Sequence, residues 1–223
     1  MGDDDYKIAI GAWVARRLQR NPRALRIPCK DLDIFIVRDA LSEADCKILI
    51  PLIDQDRVPS GLLSPSSDRE FRTSESCNLN PFNPAVAKIE AKITDIMGIE
   101  PNQGETIQGQ RYAVGQQFKA HHDFFYEEAD YWPEMVRTGG QRTWTAMVFL
   151  NEPAGGGETF FEKAGVKVTP RRGNLLAWNN LDAIGAPNEF SMHQGLPVTA
   201  GVKYIITKWY RERRWVETDT PTY

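Results

Sequence analysis

Gln117-Phe-Lys-Ala-His-His-Asp-Phe-Phe125 is the stretch on which the reading of this chain turns. His121 and Asp123 are two positions apart, so on a β-strand both side chains point to one face, and His122 points to the other. The chain holds three histidines, and the third, His193, lies far downstream. Two imidazoles and one carboxylate form the donor set that holds non-haem Fe(II) and leaves coordination positions open. Ligands spread this far along a chain meet when a β-sheet closes on itself, with each ligand near a strand end.

The texture around this stretch agrees. From Glu105 onward, short β-like runs follow one another: 106–114, 117–125, 143–150, 159–161, 166–169, 174–178 and 202–210. Gly and Pro turn signals separate them, including Gly139-Gly140, the 153–157 segment, Gly173 and Gly201. Seven such runs at this spacing predict a barrel or sandwich. In Val202-Lys-Tyr-Ile-Ile-Thr-Lys-Trp209 the alternation places Lys203, Ile205, Thr207 and Trp209 on one face. A lysine among apolar neighbours is costly to bury unless it meets an anion. A surface lysine with its head in water is the alternative at this point.

The first hundred residues are helical in pattern. Residues 6–20 carry Ile10, Trp13, Val14 and Leu18 at helical spacing and stop before Asn21-Pro22. Ser42 with Asp45 resembles a capping box opening a helix to Ile53. Asn83-Pro84 reads as N-cap and first helical residue, and Gly98 as the stop. Two loops, 59–69 and 126–141, are long enough to serve as lids.

Composition sets the frame. The chain has 223 residues, 41% hydrophobic and 26% charged, with a net charge of −3. That is ordinary for one globular domain and argues against a chain-wide nucleic-acid footprint. No apolar run approaches the ~18 residues of a membrane span. The acidic start at Asp3-Asp4-Asp5 differs from a secretory leader. Cys29, Cys46 and Cys77 are far apart and form no metal or redox pair, so a reducing, cytoplasmic setting is expected. The expected organisation is a helical extension over 1–30, one domain over 31–215 and a tail over 216–223. No oligomeric state is read.

Several blocks together carry a resemblance. Arg72-Thr73-Ser74, Arg111-Tyr112, His121-x-Asp123, Gly156-Gly157-Glu158-Thr159-x-Phe161 and His193-x-Gly195-x-Pro197 stand in that order, followed by Gly201-x-Lys203 and Trp209. Over about residues 31–211 the chain resembles the prolyl 4-hydroxylase family of 2-oxoglutarate- and Fe(II)-dependent dioxygenases. The resemblance implies a mostly β fold: a double-stranded β-helix (jelly roll) core with flanking helices, the N-terminal helices packed on one sheet. It implies Fe(II) held by His121, Asp123 and His193. Lys203 would anchor the far carboxylate of 2-oxoglutarate, with Tyr112 and Thr159 at the same end. Trp209 would line the catalytic pocket, and Arg72, Ser74, Glu105 and the catalytic Arg142 would sit on the substrate side. Tyr126, in the loop directly after Asp123, is placed by position to contact substrate.

The implied reaction hydroxylates a C–H bond, on proline in a peptide or protein, while O2 and 2-oxoglutarate become succinate and CO2. Ascorbate is expected as an accessory reductant. The family usually carries Tyr where this chain has Phe118, and often Cys where it has Leu196. Two other readings stay open: a hydroxylase of a free amino acid or other small molecule, and a cupin-like metal-binding module. A demethylase of alkylated bases would typically carry Arg in place of Lys203.

Overall fold

The computed structural model describes residues 3–64 and 66–216. The tail expected over 216–223 lies, apart from Val216, outside the described residues. In chain order the elements are α1 (Asp3–Arg20), β1 (Ala24–Arg26), β2 (Ile34–Val37), α2 (Glu43–Asp56), β3 (Val58–Pro59), β4 (Glu75–Asn78), α3 (Pro84–Met97), β5 (Gln108–Tyr112) and β6 (Phe118–His121). Then come α4 (Trp132–Arg137), β7 (Arg142–Phe149), β8 (Gly155–Gly156), β9 (Thr159–Phe161), β10 (Val166–Val168), β11 (Leu175–Asn179), β12 (His193–Gly195), β13 (Val198–Ala200) and β14 (Lys203–Arg211).

Among the described residues, eight strands make a large sheet in the order β1-β2-β11-β7-β14-β5-β4-β3. A smaller sheet runs β10-β9-β12-β6, and β13 pairs with β8. Two facing antiparallel sheets of non-sequential strands are the expected double-stranded β-helix.

Side-chain alternation divides the large sheet into two faces. Ala146 and Val148 of β7, Leu175 and Ala177 of β11, and Ile206 and Tyr210 of β14 enter one core. The helices cover that core with Val14 and Leu18 (α1), Leu49 and Ile53 (α2), and Val86, Ile89 and Ile93 (α3). The intervening residues Met147, Phe149, Leu176, Trp178 and Ile205 enter a second core between the sheets, against Phe161, Val166 and Val168. Strand β14 therefore serves the helical core with one face and the barrel interior with the other.

The helices begin where their caps place them. Ser42 N–H donates to Asp45 Oδ2 (2.9 Å) and Asp45 N–H to Ser42 Oγ (3.1 Å), closing the capping box. Asn83 Oδ1 accepts from Ala85 N–H at 2.9 Å. Gly98 ends α3 at φ 70°, and an added Cβ there would meet Arg17 and Trp13 at 2.5 Å, so the stop also fixes how α1 crosses α3. Strand β1, within the expected extension, pairs with β2.

Several expectations change. The first hundred residues, read as helical, also contribute strands β1 to β4. The run expected over 117–125 stops at His121, so Asp123 sits just past the strand. The α2 helix runs beyond Ile53 to Asp56 and contains Pro51. The expected 126–141 loop contains the short helix α4.

Candidate active site

His121 closes β6 and His193 opens β12, and the two are paired across the small sheet. Asp123 follows two residues after His121. The strand ladder thereby brings together three residues that are remote in sequence. Their ligand atoms lie within 4.8 Å of one another, the one such group of metal-ligating side chains found among the described residues. His121 Nε2 is 3.9 Å from Asp123 Oδ1, and His193 Nε2 is 4.0 Å from Asp123 Oδ2.

Both imidazoles are held in one tautomer. His121 Nδ1 faces the Lys119 carbonyl at 2.8 Å and His193 Nδ1 faces the Ser191 carbonyl at 3.0 Å. A carbonyl only accepts, so each Nδ1 carries the proton and each Nε2 offers its lone pair to a metal. Burial, together with His193 alongside, holds the His121 pKa well below its usual value, so the ring is the neutral ligand form. Burial opposes ionisation of Asp123, but the adjacent histidines, Arg142 and a Thr145 hydrogen bond outweigh it, and the carboxyl stays below its usual range. Phe118 stacks on His121 with centroids 3.5 Å apart. Trp178 packs edge-on to His193 at 4.7 Å.

A narrow cavity runs inward from the three ligands between the sheets, lined by Tyr112, Thr159, Lys203, Ile205, Thr207 and Trp209. The alternation expected along β14 is the one observed. Lys203 is only 2% exposed, with Nζ 5.1 Å from the Tyr112 ring and 5.8 Å from the Phe149 ring. Burial pushes its amine down to about 7, against the opposing pull of Glu158. Thr159 Oγ1 is buried and has no hydrogen-bond partner among the described residues. Tyr112 Oη donates to Gln110 Oε1 at 2.7 Å. A buried amine and an orphaned hydroxyl behind an N,N,O donor set suit a ligand with a carboxylate at its far end and a chelating group at the metal end.

On the outer side the ligands open into a groove of about 340 Å3, lined by Leu62, Leu63, Phe71, Arg72, Tyr126 and Arg142 among others. Both long loops reach it. Arg142 grips Glu105 with two hydrogen bonds of 2.7 Å and lies 4.2 Å over the Trp209 ring and 4.7 Å over Phe125. Arg211 Nη1 also reaches Glu105 Oε1, at 3.0 Å. Glu105 therefore sits behind Arg142 and orients it; it does not line the groove. Ser74 is likewise buried, 2.9 Å from Ser60 Oγ, behind Arg72. Arg72 donates to the Gly61 carbonyl (2.9 Å) and to Gln108 Oε1 (2.8 Å). His122 points away from the other two imidazoles and bonds Tyr126 Oη at 2.8 Å.

Sequence reasoning missed Thr145, whose hydroxyl donates to Asp123 Oδ2 at 2.7 Å, and Asn180, whose amide donates to Thr145 Oγ1 at 2.9 Å. The alternation Thr145, Met147, Phe149 along β7 was the available signal.

The barrel, the triad and the buried lysine form a site suited to a divalent metal with a carboxylate ligand behind it. A family model described as the 2OG-Fe(II) oxygenase superfamily matches residues 107–211. The chain is 30% identical over 200 residues to probable prolyl 4-hydroxylase 8 of Arabidopsis thaliana, covering 79% of this chain and 67% of that protein. It is 29% identical over 206 residues to human prolyl 4-hydroxylase subunit alpha-1, covering 87% of this chain. The chain spans 38% of the length of that human relative. Among solved structures, the viral collagen prolyl hydroxylase of Paramecium Bursaria Chlorella virus-1, in its 2OG complex, superimposes with a TM-score of 0.64 at 28% identity, covering 80% of this chain and 95% of the other. The chain belongs to the prolyl 4-hydroxylase family of 2-oxoglutarate- and Fe(II)-dependent oxygenases.

Proposed function

We propose that this chain hydroxylates a prolyl residue in a peptide or protein, with oxidative decarboxylation of 2-oxoglutarate to succinate and CO2. Fe(II) at the triad, when bound, supplies the activation of O2. The residues of the chain supply position. His121, Asp123 and His193 would hold the metal from one side and leave the groove side open. Lys203, with Thr159 beside it, would fix the far carboxylate of 2-oxoglutarate and so orient its keto-acid end toward the metal. Arg142, locked by Glu105, borders the groove where substrate enters.

The observation that carries the reading is the pairing of two separate approaches to one metal position. The inner cavity ends on a buried amine. The outer groove is open, with Leu62, Leu63, Phe71 and Tyr126 supplying apolar contact beside Arg72 and Arg142. An outer surface of this kind suits a pyrrolidine ring carried on an extended chain. The relatives named above are prolyl hydroxylases, which points the same way. Cys29, Cys46 and Cys77 are all free thiols, in keeping with a cytoplasmic setting.

The test is incubation of the protein with Fe(II), 2-oxoglutarate, ascorbate and a proline-containing peptide library, read by mass spectrometry. A gain of one oxygen on proline, matched by succinate, is expected. Turnover confined to free amino acids would refute the peptide reading.

A further inference from the structure

Asp123 stands apart from the other two ligands in how it is held. His121 and His193 lie on paired strands. Asp123 lies beyond the end of β6, where the ladder no longer holds the backbone. Its carboxylate is secured instead by Thr145, from the middle of β7. That strand is paired on both sides: Thr145 stands opposite Trp178 of β11 and opposite Trp209 of β14. A β-branched side chain on such a strand has little rotamer freedom.

The hydroxyl has one proton to give. Asn180 Nδ2 donates to Thr145 Oγ1 at 2.9 Å, which occupies its acceptor side and directs the proton to Asp123 Oδ2 at 2.7 Å. Thr143, two residues earlier on the same strand, instead donates to the Tyr210 carbonyl at 3.2 Å, an ordinary fate for a buried hydroxyl. The track continues. Asn180 N–H donates to the Thr143 carbonyl (2.8 Å), and the Asn180 carbonyl accepts from Asn188 N–H (2.9 Å). The Asn188 carbonyl accepts from Ser191 Oγ at 2.7 Å, and the Ser191 carbonyl faces His193 Nδ1 at 3.0 Å. Thr145, Asn180 and Ser191 are fully buried. One polar track thus begins on one ligand and ends on another.

We propose that Thr145, set by Asn180, is a positioning residue for the metal: it holds one oxygen of Asp123 and fixes the carboxylate against His193. This rests on the triad being the metal site, and the test separates the two ideas. Co(II) binding is measured by equilibrium dialysis, and its visible spectrum is recorded, for the wild type, Thr145→Val and Thr145→Ser. Wild type should bind one ion; failure to bind would overturn the metal reading and this one with it. Thr145→Val should bind Co(II) ~10–100-fold more weakly, as is typical when a partner behind a metal ligand is lost, and with a shifted visible band. Thr145→Ser should restore both affinity and spectrum. A merely structural threonine would lower the unfolding midpoint of the metal-free protein without moving the Co(II) band. If Thr145→Val does not fold, Asn180→Ala decides, with a smaller loss in the same direction and a shifted band. Wild-type affinity and spectrum in a folded Thr145→Val, or in Asn180→Ala, would overturn the proposal while leaving the metal site intact.

Discussion

Replacing Lys203 by Met should weaken 2-oxoglutarate binding and at the same time stabilise the metal-free protein. The two effects share one cause. With its amine among the rings of Tyr112 and Phe149, Lys203 is pushed down to about 7 by burial. In the unfolded chain it titrates near the ordinary lysine value of ~10.4. Between these values the unfolded state binds more protons, so this group costs stability most below pH 7, and the cost fades as pH rises toward ~10. At ~1.4 kcal/mol per pKa unit, Lys203→Met should stabilise the metal-free protein by ~2–4 kcal/mol at pH 6.5, and progressively less above pH 7.

Binding runs the other way. A carboxylate beside Lys203 favours the charged amine, so binding of 2-oxoglutarate above pH 7 should draw a proton onto Lys203. The charged fraction falls from about three quarters at pH 6.5 to about 3% at pH 8.5, which predicts roughly 25-fold weaker binding across that range. Titration calorimetry of the Mn(II)-loaded protein, in two buffers of different ionisation enthalpy, reads both the affinity and the proton uptake. Lys203→Met should lose ~2–5 kcal/mol of binding and all of the pH dependence. Wild-type affinity flat from pH 6.5 to 8.5 with no proton uptake, or a Met variant less stable than wild type at pH 6.5, would refute the reasoning.

Three further outcomes are expected. Arg142→Met leaves the buried Glu105 carboxylate with Arg211 as its one remaining cation, so it should destabilise by about 3 kcal/mol in urea unfolding, while Arg142→Lys, which keeps a charge there, should lose less; equal losses in the two variants would count against the pairing argument. Burial works against the Asp45 charge, but Lys92 and Ser42 prevail and hold its carboxyl at about 2, so its contribution is present above about pH 4 and lost as pH falls toward 2. Ser42→Ala should then cost ~1 kcal/mol at pH 7 and less at pH 2.5 by urea midpoints. Leu62, Leu63, Ser64 and Ser66 of the first loop and Tyr126 and Tyr131 of the second border the groove, so hydrogen exchange in both loops should slow when a turned-over peptide binds, and unchanged exchange would remove them as lids.

Some of this was legible because it follows short-range rules. The alternation through Lys203 and Trp209 specifies a face from the pleat, and the structure puts those residues on one cavity with His121 and Asp123, although the strand ends at His121 and the pleat does not carry Asp123 there. The caps at Ser42 and Asn83 are local hydrogen bonds and were readable as such. The strands β1, β3, β8, β12 and β13 are two or three residues long and, unlike the equally short β9 and β10 with their apolar pairs Phe160-Phe161 and Val166/Val168, carry little apolar signal; their partners decide them. Thr145 looks like any threonine in a strand until Asp123 is brought across to it. Glu105, Arg142 and Arg211 are far apart in sequence, and only the folded sheet shows that the first holds the other two.

The two-faced character of β14 bears on how the sequence can change over time. Lys203, Ile205, Thr207 and Trp209 look into the cavity, while Ile206, Lys208 and Tyr210 look the other way, Lys208 pairing with Glu90 of α3. A single inserted or deleted codon inside this strand would exchange the two sets. It would drive a cation into the helical core and withdraw the anchor from the cavity in one step. Divergence along this strand is therefore confined to replacement in place, and length variation among homologues should collect in the loops on either side of it.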